Sequence, residues 1–366
     1  MKILLVITGL GMGGAEHVVV NLADNLVSRG NQVKIAYLTG EPVVLPSNPD
    51  VEVFSVGFNS SKDLFKAYFR LRAFVKKFRP DVVHSHMFHA NLISRLLRLT
   101  LSFSRLISTA HNTNEGGKLR MLAYRLTDYL ADISTNVTDE AVAAFIQKGA
   151  VKHDRMVSIT NGIDVNKFHF DPEKSIEKRA ELGVNNEKVI LAVGRLNEQK
   201  DYGNLLNAVA LLKQKRQDFK VFIVGDGPLK AELLELVANL DIESYIEFLG
   251  IQRDVPELMA ACDTFVLSSA WEGFGLVVAE AMSCERVVVA TDCGGVAEVV
   301  GSCGILVEPK NHKALAQAIG ESLELNDSAK AKLGAEARQR INEKFSLDAN
   351  VEAYCKLYAQ TDFTKL

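Results

Sequence analysis

The chain has 366 residues, 48% hydrophobic and 24% charged, which fits one large or two ordinary globular domains and excludes wholesale disorder. A net charge of -3 argues against a dedicated nucleic-acid binder only if the charge is evenly spread. It is not: residues 60–130 hold 13 Lys+Arg against 4 Asp+Glu, a basic segment on an otherwise acidic chain.

Short apolar runs alternate with longer amphipathic stretches. Ile3–Ile7, Gln32–Tyr37, Val82–His84 and Leu106–Thr109 read as strands, with Ala15–Arg29, Leu64–Phe78 and Asn91–Leu99 as helices between them. Continuous apolar strands imply burial on both faces, hence a parallel sheet covered by helices. The pattern restarts after residue 185. Strands are expected at Val189–Val193, Phe219–Val224, Ile246–Phe248, Thr264–Leu267 and Val287–Ala290, and helices at Tyr202–Lys215, Pro228–Ala238 and between the last two strands. Two successive α/β domains follow, with a hinge near Asn161–Pro172, which is rich in Asn, Gly, Asp and Pro.

Five cysteines, none in a C-x-x-C pair, suggest reduced, mostly buried thiols of a cytosolic protein rather than a zinc or disulfide framework. Met1–Ile7 is apolar but too short to span a bilayer, and no other stretch approaches ~18 apolar residues. A soluble or peripheral protein is expected.

Three constellations carry chemistry. Gly9-Leu-Gly11-Met-Gly13-Gly14 follows the first strand and opens a helix, where backbone amides can approach an anion. A bare strand-to-helix turn would look the same. Glu16 in the first helical turn suits sugar or acceptor hydroxyls better than a diphosphate, which it would repel; a mere cap is the alternative. Gly194-Arg195-Leu196, with Lys200 five residues after Arg195, ends a buried strand and offers two cations for a diphosphate. Gly225-Asp-Gly-Pro228 reads as a tight turn that shapes its surroundings. The sharpest signal is Glu272-Gly-Phe-Gly-Leu-Val-Val-Ala-Glu280. A helix starting near Gly275 would present its amides to a ligand and leave Glu280 among apolar neighbours, in need of donors such as ribose hydroxyls.

Together with Asp81-Val-Val-His84-Ser-His86, His111 and Asn161-Gly-Ile-Asp164 with Phe168, these residues resemble the family 4 glycosyltransferases. The resemblance implies the GT-B fold, two Rossmann-like parallel-sheet domains facing across a cleft. It implies an N-terminal domain over 1–165, completed by a helix from 346–366, and a nucleotide-sugar-binding domain over 166–345. It implies a nucleotide diphosphate sugar as donor, retention at the anomeric carbon, and no cofactor. Arg195 and Lys200 would hold the diphosphate, Glu280 the ribose, and Glu272 with the backbone of Gly273, Phe274, Gly275 and Leu276 the donor sugar. Gly14 would lie near the phosphates, His111 would face the donor sugar, and the base would pack near Gly250–Arg253, Ile251 among them. Arg195, Lys200, Glu272 and His111 are the residues expected to act in catalysis. One departure stands out: where the family has Gly-x-Pro after E-A-M and a small residue, this chain has Glu285-Arg286-Val287, which puts the turn geometry in doubt.

No D-x-D-type acid pair stands where a metal would bridge phosphates, so metal independence is expected. His84, His86, His89 and His111 read as polar residues rather than a metal cluster. In Leu64–Arg79, aromatic residues that look core-facing interleave with six basic ones, and Arg95, Arg98, Arg105, Lys118, Arg120 and Arg125 follow. Either these are ordinary helices with solvated charges, or the segment docks on an anionic membrane, where a lipid-linked glycan acceptor would be found. No nucleic-acid motif accompanies it. The expectation is a glycosyltransferase using a UDP-sugar in bacterial cell-surface glycan synthesis. A UDP-sugar epimerase on the same fold and a NAD-dependent oxidoreductase using Gly9–Gly14 remain as alternatives.

Overall fold

The computed structural model describes residues 1–58, 60–113 and 115–360. They form two compact units, one of Met1–Gly162 with the chain from Leu347 onward, the other of Ile163–Ser346.

In the first unit, seven strands form one parallel sheet: β1 (Lys2–Ile7), β2 (Gln32–Tyr37), β3 (Glu52–Ser55), β4 (Val82–His86), β5 (Arg105–Thr109), β6 (Ile133–Asn136) and β7 (Met156–Ser158). Their order is β3-β2-β1-β4-β5-β6-β7. Alternation along β1 sends Ile3, Leu5 and Ile7 to one face, against Val19, Leu22 and Leu26, while Leu4 and Val6 meet Leu71, Val75, Ile93 and Leu97 on the other. Helix Leu347–Ala359 returns to the first face through Val351, Tyr354, Leu357 and Tyr358. Of the helix expected over 346–366, residues 361–366 lie outside the described residues. Gly162 is glycine for space: a Cβ there would meet Leu347 Cα at 2.7 Å and Asn350 Cβ at 2.8 Å.

The second unit repeats the design with β8 (Lys188–Val193), β9 (Phe219–Val224), β10 (Ile246–Gly250), β11 (Thr264–Leu267), β12 (Val287–Thr291) and β13 (Ile305–Val307), ordered β10-β9-β8-β11-β12-β13 and parallel throughout. Each sheet thus starts in its middle, winds outward, and returns to the other side of its first strand. That reversal, at β1/β4 and at β8/β11, opens a crevice beyond the carboxyl ends of the strands.

Two sequence readings need correction. The helix expected from Pro228 begins at Lys230, with Pro228 in the turn before it. On helix Leu64–Phe78 the aromatics are not all core-facing: Ala67, Leu71, Val75 and Phe78 are buried, but Phe65 is 78% and Phe69 60% exposed. The core positions recur at 67, 71, 75 and 78, and this spacing leaves 65 and 69 on the free side.

The Glu285 departure keeps the turn that a glycine would make. Helix Leu276–Ser283 ends with Glu285 at φ 61°, the Glu285 amide donating to Met282 O at 3.0 Å and the Arg286 amide to Ala281 O at 3.1 Å. This is the paired closure of a left-handed helix cap, with a side chain where glycine is favoured. Gly334 makes room for it, since a Cβ there would run into the Glu285 carbonyl.

Candidate active site

In the second unit the loops after β8, β9 and β11 meet at the reversal. Backbone packs directly on backbone: the Gly194 amide donates to Val224 O at 2.9 Å, the Leu196 amide to Asp226 O at 3.1 Å, and the Leu229 amide to Leu196 O at 3.1 Å. A Cβ on Gly225 would strike the Gly194 carbonyl, and one on Gly227 the Leu196 carbonyl. The Gly225–Pro228 turn therefore fixes the Arg195 loop from below. Gly194, at φ 157°, lets the Lys200 stem lie against its backbone; a Cβ there would come within 2.8 Å of Lys200 Cε. The Gly225 amide also donates to Gly250 O at 2.8 Å, which sets the loop carrying exposed Ile251 beside this turn.

Glu272 is 6% exposed, and its carboxylate is held by three side chains. Lys200 Nζ donates to Oε1 at 2.6 Å, Ser269 Oγ to Oε1 at 2.7 Å, and Gln199 Nε2 to Oε2 at 3.3 Å. The β8 and β11 loops are tied together by the Ala270 amide on Gln199 O and Ser268 Oγ on Lys200 O, each at 2.8 Å. A third loop closes over them: the Gly295 amide donates to Gly273 O at 3.1 Å, and Gly294 has no room for a Cβ against the Glu272 carbonyl.

Phe274 is buried and packs edge-on against Phe345, centroids 5.5 Å apart, so it anchors the loop from the core side. Gly275, at φ 82°, caps the helix that starts at Leu276. The amides of Gly275, Leu276 and Val277 find no acceptor among the described residues, leaving a small field of positive dipole ends. Glu280, one turn inside, makes no side-chain hydrogen bond or ion pair there either. Its desolvated surroundings push its carboxyl up to about 7, against the pull of Lys167 and Lys200. Arg195 is the opposite case: exposed, cationic and without a side-chain partner among the described residues.

In the first unit, Gly13 caps helix Gly14–Ser28. The Glu16 carboxylate folds back over Gly13, where a Cβ would meet Oε2 at 2.5 Å, and burial raises its pKa. His111 follows β5, its backbone amide donating to Glu115 Oε1 at 3.1 Å and its Nε2 lying 3.1 Å from His86 Nδ1. Burial holds the His111 imidazole down at about 4, so it is neutral near pH 7. The expected site residues thus fall into two groups: Gly14, Glu16 and His111 on the first unit, Arg195, Lys200, Ile251, Glu272–Leu276 and Glu280 on the second. Among the described residues, no three His, Cys, Asp or Glu side chains are grouped to hold a metal ion. Sequence reading missed Ser269, Gln199 and Lys167. Ser269 sits three residues before Glu272 and Gln199 beside Lys200, but nothing in either position marks a ligand to a carboxylate.

Residues 12–167 match the family model described as Glycosyltransferase Family 4, and residues 174–340 the one described as Glycosyl transferases group 1. The chain belongs to the family 4 glycosyltransferases. A Campylobacter jejuni relative, GalNAc-alpha-(1->4)-GalNAc-alpha-(1->3)-diNAcBac-PP-undecaprenol alpha-1,4-N-acetyl-D-galactosaminyltransferase, is 28% identical over 98% of this chain and 99% of its own. A second from that organism, N-acetylgalactosamine-N,N'-diacetylbacillosaminyl-diphospho-undecaprenol 4-alpha-N-acetylgalactosaminyltransferase, is 36% identical over 46% of each chain. With several curated relatives the match is partial, spanning 60%, 46% and 65% of their length. The crystal structure of Anabaena HepE in complex with UDP and glucose superposes with a TM-score of 0.83, at 25% identity over 98% of this chain and 99% of that one. The fold is GT-B, with two Rossmann-like parallel-sheet domains.

Proposed function

We propose that this protein is a retaining glycosyltransferase that moves a hexose or N-acetylhexosamine from a UDP-sugar to a lipid-linked glycan in bacterial cell-surface polysaccharide synthesis. The observation that carries the reading is the set of unpaired groups around the Lys200–Glu272 pair. Among the described residues, Arg195 is a cation with no side-chain partner, Gly275–Val277 offer amides with no acceptor, and Glu280 is an acid without a donor. A nucleoside diphosphate sugar supplies the missing partners: phosphate oxygens for the cation and amides, ribose hydroxyls for Glu280. The relatives named for undecaprenol-linked substrates and the neighbour solved with UDP support the same choice.

Breaking the sugar–phosphate bond builds positive charge on the sugar and negative charge on the departing diphosphate, so fixed positive charge at the diphosphate is the main aid. Arg195, the two Lys200 hydrogens not given to Glu272, and the helix amides supply it without a metal. Glu272, held by three donors, is poised to accept from sugar hydroxyls. The acceptor hydroxyl attacks the face the phosphate leaves, and the leaving oxygen takes its proton. The family resemblance is the ground for assigning His111 to the donor sugar.

The basic first unit serves the membrane side. Phe65 and Phe69 stand out among Lys66, Arg70, Lys76 and Lys77, and Leu119, Leu122, Leu126 and Tyr129 are exposed around helix Lys118–Thr127. No helix among the described residues is long and apolar enough to cross a membrane. An apolar stripe flanked by cations fits peripheral docking on anionic lipid, at about 1 kcal/mol per basic residue near the surface. Flotation with anionic vesicles at low salt tests this, and failure to float removes the membrane assignment. A thermal-shift panel of UDP-, GDP-, ADP- and CMP-sugars with NAD tests the donor. The largest shift is expected from a UDP-sugar; a shift from NAD alone would overturn the proposed function.

A further inference from the structure

Both histidines of β4 are buried, and the second is hydrogen-bonded to His111. His84 and His86 are fully buried, two residues apart on one face of the strand, their ring centroids 4.0 Å apart. His84 Nδ1 is 2.7 Å from the Tyr358 hydroxyl and Nε2 is 2.6 Å from Thr109 Oγ1. Tyr358 has no other side-chain hydrogen-bond partner among the described residues, so its O–H donates to His84 Nδ1 and His84 carries its proton on Nε2.

Among the described residues, the His86 side chain has one hydrogen-bond partner. Its Nδ1 lies 3.1 Å from His111 Nε2, and its own Nε2 is buried with no hydrogen bond. Burial keeps both rings neutral, so one proton lies between the two nitrogens. Two arrangements are possible. If His111 donated, His86 would carry its proton on the enclosed Nε2, leaving a buried N–H with no acceptor. If His86 donates, only a lone pair goes unmet. Orphaned buried donors are the rarer and costlier case.

We infer that His86 is a positioning residue: its Nδ1–H donates to His111 Nε2 and fixes His111 in the Nδ1–H tautomer. His111 Nδ1 makes no hydrogen bond among the described residues and, unlike His86 Nε2, is not enclosed. The His86–His111 pair therefore presents an N–H donor, not an acceptor, at the exit of β5. Resting on the reading that His111 faces the donor sugar, its target is a sugar hydroxyl or ring oxygen.

Long-range proton–nitrogen spectra of the intact protein labelled at histidine read the tautomers directly, with His111→Gln assigning the signal. His111 should appear as Nδ1–H in the free enzyme; an Nε2–H form overturns the inference before any change at His86. In His86→Phe, which keeps a ring and removes the donor, His111 should shift to the Nε2–H form, and kcat/KM for the donor should fall about tenfold with UDP affinity unchanged. His86→Asn, which can still donate from Nδ2, should restore the tautomer and most of the rate. A His111 tautomer unmoved by His86→Phe also overturns the inference. A tautomer that flips with no loss of rate upholds the His86–His111 hydrogen bond and removes His111 from the donor sugar instead.

Discussion

Replacing Lys200 by Met separates what the cation does for the fold from what it does for the reaction. In the folded chain Lys200 and Glu272 are 15% and 8% exposed at the side chain, 2.6 Å apart. Removing one partner of a buried pair leaves an uncompensated charge at a cost of about 3–5 kcal/mol. Glu272 would keep Ser269 and Gln199 as donors, so the lower end, about 3 kcal/mol, is expected. At roughly 2–4 °C per kcal/mol for a domain of this size, the second unit should melt about 6–12 °C lower. Turnover should fall about 100- to 1,000-fold, the usual loss when one fixed donor to a developing anion is removed. The double variant Lys200→Met/Glu272→Gln removes both charges, so most of the stability should return while turnover stays lost. Thermal melts read the first quantity and UDP release the second. A single variant retaining more than a tenth of normal turnover would refute the diphosphate role. A double variant no more stable than the single would refute the claim that the pair is what Lys200 contributes to the fold.

Arg195→Ala should cost a similar factor in turnover with stability changed by less than about 0.5 kcal/mol, because the side chain is exposed and has no partner to orphan among the described residues. A melt lowered beyond that would mean Arg195 is tied into the fold. Glu285→Gly should raise stability: relief at φ 61° is worth about 1–2 kcal/mol, offset by about 0.5–1 kcal/mol of unfolded-chain entropy and by the half-exposed contact to Arg338 at 3.9 Å. A urea midpoint that falls would show that Glu285 makes a contact outweighing its backbone strain. For Glu280, a carboxyl held at about 7 is neutral below that pH and ionised above it, and ribose hydroxyls donate best to the ionised form. UDP-sugar affinity by calorimetry should therefore rise from pH 6 toward 7 and level off above, and Glu280→Gln should flatten the profile. Folding stability should run the other way, declining from about pH 4.5 to 7, since the native state there holds a proton that the unfolded chain has released.

Much of the fold was legible because buried parallel strands are continuous apolar runs. β2, β9 and β11 fall at the residues expected, while β1, β8, β10 and β12 extend by a residue or two. The strands that escaped notice lack that signature. β6 is Ile-Ser-Thr-Asn, buried at all four positions but polar at three, its hydroxyls absorbed by side-chain bonds such as Ser134 to Asp128. β7 and β13 have three residues each, and β3 is an edge strand with both ends exposed. Within the candidate site, glycines and charged residues announced themselves by spacing. The outward turn of Phe65 and Phe69 did not, because an aromatic residue on a basic helix reads the same whichever way it faces. Nor did the direction of the His86 hydrogen bond, which depends on an enclosed atom that only the folded chain reveals.

The second unit pairs most of its buried or half-buried charges, and the contrast with Glu280 bears on function. Lys178, Arg179 and Lys330 each meet a carboxylate, as do Lys200 and Arg216. Arg338 and Arg340 spend their guanidinium hydrogens on backbone carbonyls of Phe168, Ser283, Val299 and Glu298. Against that background, a desolvated Glu280 with no partner among the described residues is an expensive exception, while exposed Arg195 is a cation left available at no such cost. They lie on the segments that follow β8 and β11, where Gly225, Gly227 and Gly294 let neighbouring loops pack backbone on backbone. An unpaired acid raised toward neutrality costs the folded state free energy at pH 7, and a ligand that donates to it recovers that cost on binding. The same holds for the open amides of Gly275–Val277. Free energy withheld at Glu280 and the helix amides thus reappears as affinity for a ligand carrying both anionic oxygens and hydroxyl donors, and a nucleoside diphosphate joined to a sugar is the simplest molecule that has both.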